Sequence, residues 1–208
     1  MPQRMLPAIQ AIRRTDKVLF GVVLVLATGS LLSCFGFDHG VVLPLVRARA
    51  DLSVGPWVKA FSLLGKTWLQ IWLLLVWFLF SHRRRDVLAG LLALVLVGAI
   101  VNPLKVTVAR PRPYTALKAQ ETGQPDRDFT HNLSFPSGDT ASVFAVTLAL
   151  LPVVARPLGW LFLGCSAAIG CLRVIVGAHY PSDVLAGAAI GILAGWLAIR
   201  LVDKWERA

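Results

Sequence analysis

The sequence predicts an all-α fold, a polytopic membrane bundle of six transmembrane helices, and three observations predict it. Of 208 residues, 56% are hydrophobic and only 15% charged, and the mean hydropathy is +0.69, outside the range of ordinary soluble chains. Uncharged runs recur along the chain, at 18–37, 67–81, 87–104, 140–155, 157–172 and 184–199. Prolines, glycines and charges gather between these runs, as they do where helices end.

A helix rising about 1.5 Å per residue needs roughly 17 to 25 residues to cross the hydrocarbon core. The first and third runs reach that length unaided, and the other four do so with a few flanking residues. Residues 1–17 form a basic arm with Arg4, Arg13, Arg14 and Lys17. The run that follows is too long for an ordinary signal peptide and is expected to remain as the first helix. Leu31-Leu32-Ser33-Cys34 is only faintly like a lipoprotein processing site, since it lies deep in the run and precedes bulky Phe35.

The net charge is +10, which in a polytopic chain serves orientation and contact with anionic lipid. No basic patch interleaved with aromatics points to nucleic acid. Counting basic residues does not separate the two sides of the membrane, but position does. The amino-terminal arm and the tight turn His82-Arg83-Arg84-Arg85-Asp86 are dense clusters beside short spans, and Arg200, Lys204 and Arg207 lie at the other end. Both termini are therefore expected in the cytoplasm, with the connections after the first, third and fifth helices facing outward. Trp57, Trp68, Trp77, Trp160 and Trp205 fall near span ends and fit interfacial belts. The three cysteines, Cys34, Cys165 and Cys171, lie in or near apolar runs and read as small buried hydrophobes rather than a disulfide framework. With no internal repeat or low-complexity tract, residues 1–208 read as one domain. Its longest connection is the outward loop 105–139.

Three outward segments carry polar residues suited to a phosphate site. The first, Lys105-Val-Thr-Val-Ala-Arg-Pro-Arg112-Pro113, brackets the end of the third helix with Lys105 and Arg112. Its bland reading is snorkelling at the interface, which suffices for Arg110 and Lys118. The second, Pro136-Ser137-Gly138-Asp139-Thr140, opens the fourth helix, whose free N–H groups and positive dipole end attract an anion. A cap by Ser137 or Asp139 is the alternative, and it is compatible with phosphate binding. The third is Arg173-Val-Ile-Val-Gly-Ala-His179-Tyr-Pro-Ser-Asp183. His179 and Asp183 are four apart, so within one helical turn the carboxylate can hold one ring nitrogen and leave the other free to attack. Arg173 is placed to reach an anion over that ring, most simply a phosphate. Jointly, the segments meet the requirements of phosphoryl transfer without a metal.

The spacing Lys105-x6-Arg112-Pro113, Pro136-Ser137-Gly138 and Arg173-x5-His179-x3-Asp183 resembles the three-part signature of the type 2 phosphatidic acid phosphatase superfamily, the lipid phosphate phosphatases. The resemblance implies that His179 attacks phosphorus to form a phosphohistidine and that Asp183 orients the ring. It implies that Lys105, Arg112, Arg173, Ser137 and the Gly138 backbone bind phosphoryl oxygens, and that water then releases phosphate. No metal or other cofactor is implied. The implied partners are a lipid phosphate or lipid diphosphate and the surrounding membrane lipids, and the implied place is a bacterial inner membrane with the site facing the periplasm.

Two positions depart from the family pattern. Asp139 stands where the family has histidine, and Leu172 where it has serine. That histidine protonates the leaving oxygen in the family, so Asp139 is expected to do so as a neutral acid, unless another group or water does. His131, near the second motif, is one substitute; His39 and His82 are not. A phosphate leaving group would need less acid help, which points to a diphosphate or sugar 1-phosphate substrate. Leu172 removes one phosphate hydrogen bond. Two rivals use the same residues: a phosphotransferase that passes the phosphate to a second lipid, and a non-catalytic transporter or anion-binding module.

Overall fold

A backbone in lipid has no water to satisfy its N–H and C=O groups, so each apolar run bonds to itself and becomes a helix. The computed structural model describes residues 5–49, 55–81, 84–123 and 133–207. His82, Arg83 and His131 lie outside the described residues. Nine α-helices are described: α1 (Met5–Leu32), α2 (Asp38–Arg49), α3 (Pro56–Leu63), α4 (Thr67–Ser81), α5 (Arg84–Val108), α6 (Pro113–Thr122), α7 (Gly138–Leu150), α8 (Arg156–Ile175) and α9 (Pro181–Trp205). A π-helical turn, Ser33–Phe37, joins α1 to α2. Among the described residues no strand forms, and the nearest approach is an isolated bridge between Pro111 and Leu133. The fold is all-α, as expected.

Four segments are long and apolar enough to cross a membrane: Thr15–Phe37, Arg84–Val108, Arg156–Ile175 and Pro181–Trp205. Two shorter apolar helices, Thr67–Phe80 and Gly138–Leu150, occupy the places of the expected second and fourth spans. Three helices were not anticipated, α2 and α3 before Lys66 and α6 inside the 105–139 connection. They are short and carry mixed polarity, so they leave no long apolar run. Proline starts α3, α6 and α9, where its missing N–H costs nothing.

The centre of the bundle is the seam between α7 and α9. Gly187, Gly191 and Gly195 repeat every four residues on α9, opposite Ala141 and Ala145 of α7. A Cβ on Gly191 would collide with the Ala141 carbonyl oxygen, and one on Gly195 would lie 2.6 Å from that of Ala145. The backbones thus touch, which is how helices associate where lipid removes the usual hydrophobic drive. Ala93, Val97 and Val101 of α5 close the core against Ala141, Ala145, Ala194 and Ala198.

At the end remote from the expected site, Asp16 accepts from Trp196 Nε1 at 3.0 Å and Arg200 Nη2 at 2.6 Å, and Arg85 Nε donates to Asp203 at 2.9 Å. Basic residues read as topological signals thus also clamp α1 and α5 to α9. Large apolar side chains such as Leu24, Val25, Leu79, Phe80 and Trp160 remain exposed, the surface of a protein solvated by lipid.

Two expectations need correction. Trp77 is half-buried and packs with Leu74, Val87, Leu94 and Leu150, because α4 turns that face towards α5 and α7. Cys34 and Cys171 are exposed rather than buried, since they lie on helix faces without neighbours.

Substituting Gly195 by valine forces the seam apart. It should cost about 1–3 kcal/mol, the usual range for overpacking, seen as a lower thermal midpoint in detergent. Gly21→Val, where a Cβ meets nothing within 4 Å, should leave the midpoint unchanged.

Candidate active site

The loop between α8 and α9 takes its shape from Gly177. Its φ of +71° ends α8 in a left-handed turn that suits glycine, and a side chain there would also meet Val46. The reversal lets Ala178 N and His179 N both donate to Arg173 O, at 3.0 and 3.1 Å. The spacing from Arg173 to His179 is therefore a backbone constraint as well as a chemical one.

His179 and Asp183 meet, but not inside one helical turn. Tyr180 is the N-cap of α9 and Asp183 is its third residue, and the carboxylate reaches back to accept from Tyr180 N at 2.8 Å. This half of a capping box swings Asp183 Oδ2 to 3.4 Å from His179 Nδ1. That separation is long for a hydrogen bond, and Nδ1 has no nearer partner. The other ring nitrogen, Nε2, is the one left for chemistry.

Asp183 is fully buried and multiply held. Besides Tyr180 N, it accepts from Ser134 Oγ and from Arg110 Nη1 at 2.9 Å. Arg110 also donates to Asp38 at 2.8 Å and to Ser182 Oγ at 2.7 Å, and it lies 3.8 Å over the Tyr180 ring. Arg110 is thus a buried anchor rather than a snorkelling residue, because its planar fork reaches two carboxylates at once. Asp38, itself fully buried, takes further bonds from Ser33 Oγ at 2.7 Å and Ser182 N at 3.2 Å.

In front of His179 lies a cavity of about 320 Å³. Lys105, Arg112, Gly138, Asp139 and His179 line it, together with Lys66 from the turn before α4. The other expected site residues stand behind this wall. Ser137 is fully buried as the N-cap of α7, bonded to Thr140, and its N–H donates to Asp183 O at 3.0 Å. The capping alternative therefore describes its hydroxyl, and its backbone joins the second motif to the third. Arg173 backs Asp139 and donates to Oδ2. Lys66 Nζ lies 3.3 Å from the same oxygen.

Lys105 Nζ donates to Leu133 O at 2.9 Å, holding the segment before α7 against α5. The Nε atoms of Arg112 and Arg173 are buried without a protein partner, which is costly unless an anion accepts from them. Among the described residues no three His, Cys, Asp or Glu side chains converge as a metal site.

Burial pushes the His179 imidazole down to about 4, helped by Arg112 and Lys105 and opposed by Asp183. The ring is neutral at pH 7, the form of an imidazole that has a lone pair to offer. Burial likewise raises the Tyr180 phenol to about 12.

Sequence reasoning passed over Lys66, Ser134, Asp38 and Ser182, and read Arg110 as a snorkelling residue. Asp38 left a usable signal, since a carboxylate closing a long uncharged run demands a cation, and Arg110 lies beside a motif. Lys66 left none, being one lysine in a short turn.

A model of the family described as the PAP2 superfamily matches residues 86–207. Lipid A 1-phosphatase of Rhizobium etli is 36% identical over 114 residues, 54% of this chain and 47% of that protein. Undecaprenyl-diphosphatase BcrC of Bacillus subtilis is 33% identical over 135 residues, 63% of this chain and 66% of that protein. Both alignments take in less than two thirds of the relative's length. The crystal structure of Aquifex aeolicus LpxE superposes with a TM-score of 0.63 at 27% identity, covering 80% of this chain and 96% of that one.

Two outcomes follow from the site. Arg110→Leu leaves Asp38 and Asp183 buried without their cation, which should cost about 3–5 kcal/mol and lower the thermal midpoint in detergent far more than Lys118→Leu. The unfolded chain protonates His179 near 6.5 while the folded one waits until about 4. The stability His179 contributes is therefore complete above pH 6.5 and lost as pH falls towards 4. Thermal unfolding across that window should flatten in His179→Gln.

Proposed function

The chain belongs to the PAP2 superfamily, and on that premise we propose that it is a membrane lipid phosphatase working through a phosphohistidine at His179. One observation carries the reading: a buried imidazole, backed by Asp183, borders a cavity that also holds Lys105, Arg112 and the α7 amino terminus. His179 Nε2 attacks phosphorus, and Asp183 stabilises the positive ring that results. Lys105, Arg112 and the Gly138 backbone offer donors to the phosphoryl oxygens, with Arg173 behind them. Water then displaces the histidine and frees phosphate.

The cavity's shape supports an amphiphilic substrate. Below the cations it continues along Leu94, Val97, Gly98 and Val101 of α5, one face of a helix at spacings of three and four. From Leu94 to Lys105 this face runs about 16 Å at 1.5 Å per residue. A phosphate head can meet His179 while an apolar chain follows α5. Relatives named for lipid A and undecaprenyl diphosphate agree with a lipid phosphate monoester or diphosphate as the substrate class. In this reading α1, α4, α5, α7, α8 and α9 make six spans, both termini are cytoplasmic, and the site opens at the outer face of a bacterial inner membrane.

Incubating purified protein with ³²P-labelled lipid phosphate and quenching with alkali should trap an acid-labile phosphoprotein. His179→Ala should abolish both this label and phosphate release. Retained turnover in that variant would sink the proposal.

A further inference from the structure

We propose that Lys66, in the turn between α3 and α4, is the general acid that protonates the leaving oxygen, and that Asp139 is its positioning residue. The proposal rests on the phosphatase reading above. It starts from the position where the family pattern has its acid.

Asp139 is ill placed to give a proton. Its Oδ2 accepts from the Arg173 guanidinium and faces the Lys66 ammonium at 3.3 Å, so this carboxylate is held as an acceptor between two cations. Among the other groups around the cavity, Arg173 is already committed to Asp139, and Arg112 is a guanidinium suited to binding phosphoryl oxygens. Lys105 is tied to the Leu133 and Ser134 carbonyls at 2.9 and 3.4 Å. His179 is the nucleophile. Lys66 lines the same cavity, and its side chain is 42% exposed, so it can reload a proton from water.

The turn that carries Lys66 is fixed against the site. Gln70 Nε2 donates to Leu64 O at 3.3 Å and Gly65 O at 3.2 Å, and Lys66 N donates to Leu63 O at 2.8 Å. A Cβ on Gly65 would lie 3.2 Å from Asp139 Cβ and 3.2 Å from Ile169, so this backbone is pressed onto α7 and α8. The charged groups facing Lys66 are Asp139 from α7, Arg173 from α8 and Arg112 at the start of α6. Burial, then Arg173 and Arg112, lower the lysine from its ordinary value, which makes it a better acid.

The steps balance. His179 Nε2 bonds to phosphorus as the P–O bond to the lipid breaks, and the electron pair stays on the lipid oxygen. Lys66 gives that oxygen its proton, releasing a lipid alcohol and leaving a neutral amine. A water oxygen then bonds to phosphorus, the N–P bond breaks with its pair returning to Nε2, and the amine takes the water's proton.

The test compares kcat/KM for two substrates with the same alkyl tail, an alkyl phosphate and an alkyl-substituted 4-nitrophenyl phosphate. The second needs little acid help. Lys66→Ala should lower kcat/KM about 10²–10³-fold for the alkyl ester, within the range of acid catalysis, and less than about tenfold for the nitrophenyl ester. Lys66→Arg keeps the charge beside Asp139 without a proton to give, so it should fold and bind normally yet lose the alkyl-ester rate. Equal losses on both esters, or an active Lys66→Arg, would assign Lys66 to binding alone and overturn the proposal. No phosphate release by the unmodified protein from either ester would instead overturn the phosphatase reading on which it stands.

Discussion

The structure depends on one guanidinium shared between two buried carboxylates. Arg110 joins Asp38, at the end of the first long helix, to Asp183, in the first turn of the last. Neither carboxylate would be tolerated at full burial without a cation and further donors, and each receives both. Arg110 O also accepts from Ser134 N at 2.8 Å, which guides the chain from the first motif into the second. One side chain and its own carbonyl thus bring three distant parts of the sequence to one point.

The same sharing sets the electrostatics. One positive charge stands against two negative ones behind His179, while Lys66, Lys105, Arg112 and Arg173 outnumber Asp139 in front. The imidazole sits at the boundary between a net negative floor and a net positive mouth. That gradient favours positive charge on the ring and negative charge on any anion held in the mouth. Burial depresses the basicity of the free ring, and Asp183 works against burial by favouring positive charge on it.

The helical class was legible because lipid-facing residues leave long uncharged runs, and the three motifs were legible because their chemistry needs fixed residue types. The pairing of His179 with Asp183 was anticipated from spacing, but through the wrong geometry. An i,i+4 contact arises here across a helix start, where the capping carboxylate turns backwards. Arg110 was read as an interfacial residue because sequence shows a charge beside an apolar segment without showing the partner, which lies 72 residues away. Lys66 was invisible for a similar reason, since only packing places its turn on Asp139. The short helices α2, α3 and α6 escaped because periodicity is weak over so few residues.

The glycine seam between α7 and α9 has a thermodynamic side. Glycine and alanine lose almost no rotamer freedom when buried, whereas a seam of long side chains would forfeit roughly 0.5–2 kcal/mol for each one fixed. The helices whose amino termini lie at Gly138 and just after His179 are therefore aligned by an interface with very little side-chain disorder to surrender. Their relative position rests on backbone meeting backbone, so thermal rearrangement of rotamers has no means of loosening the register between Gly138 and His179.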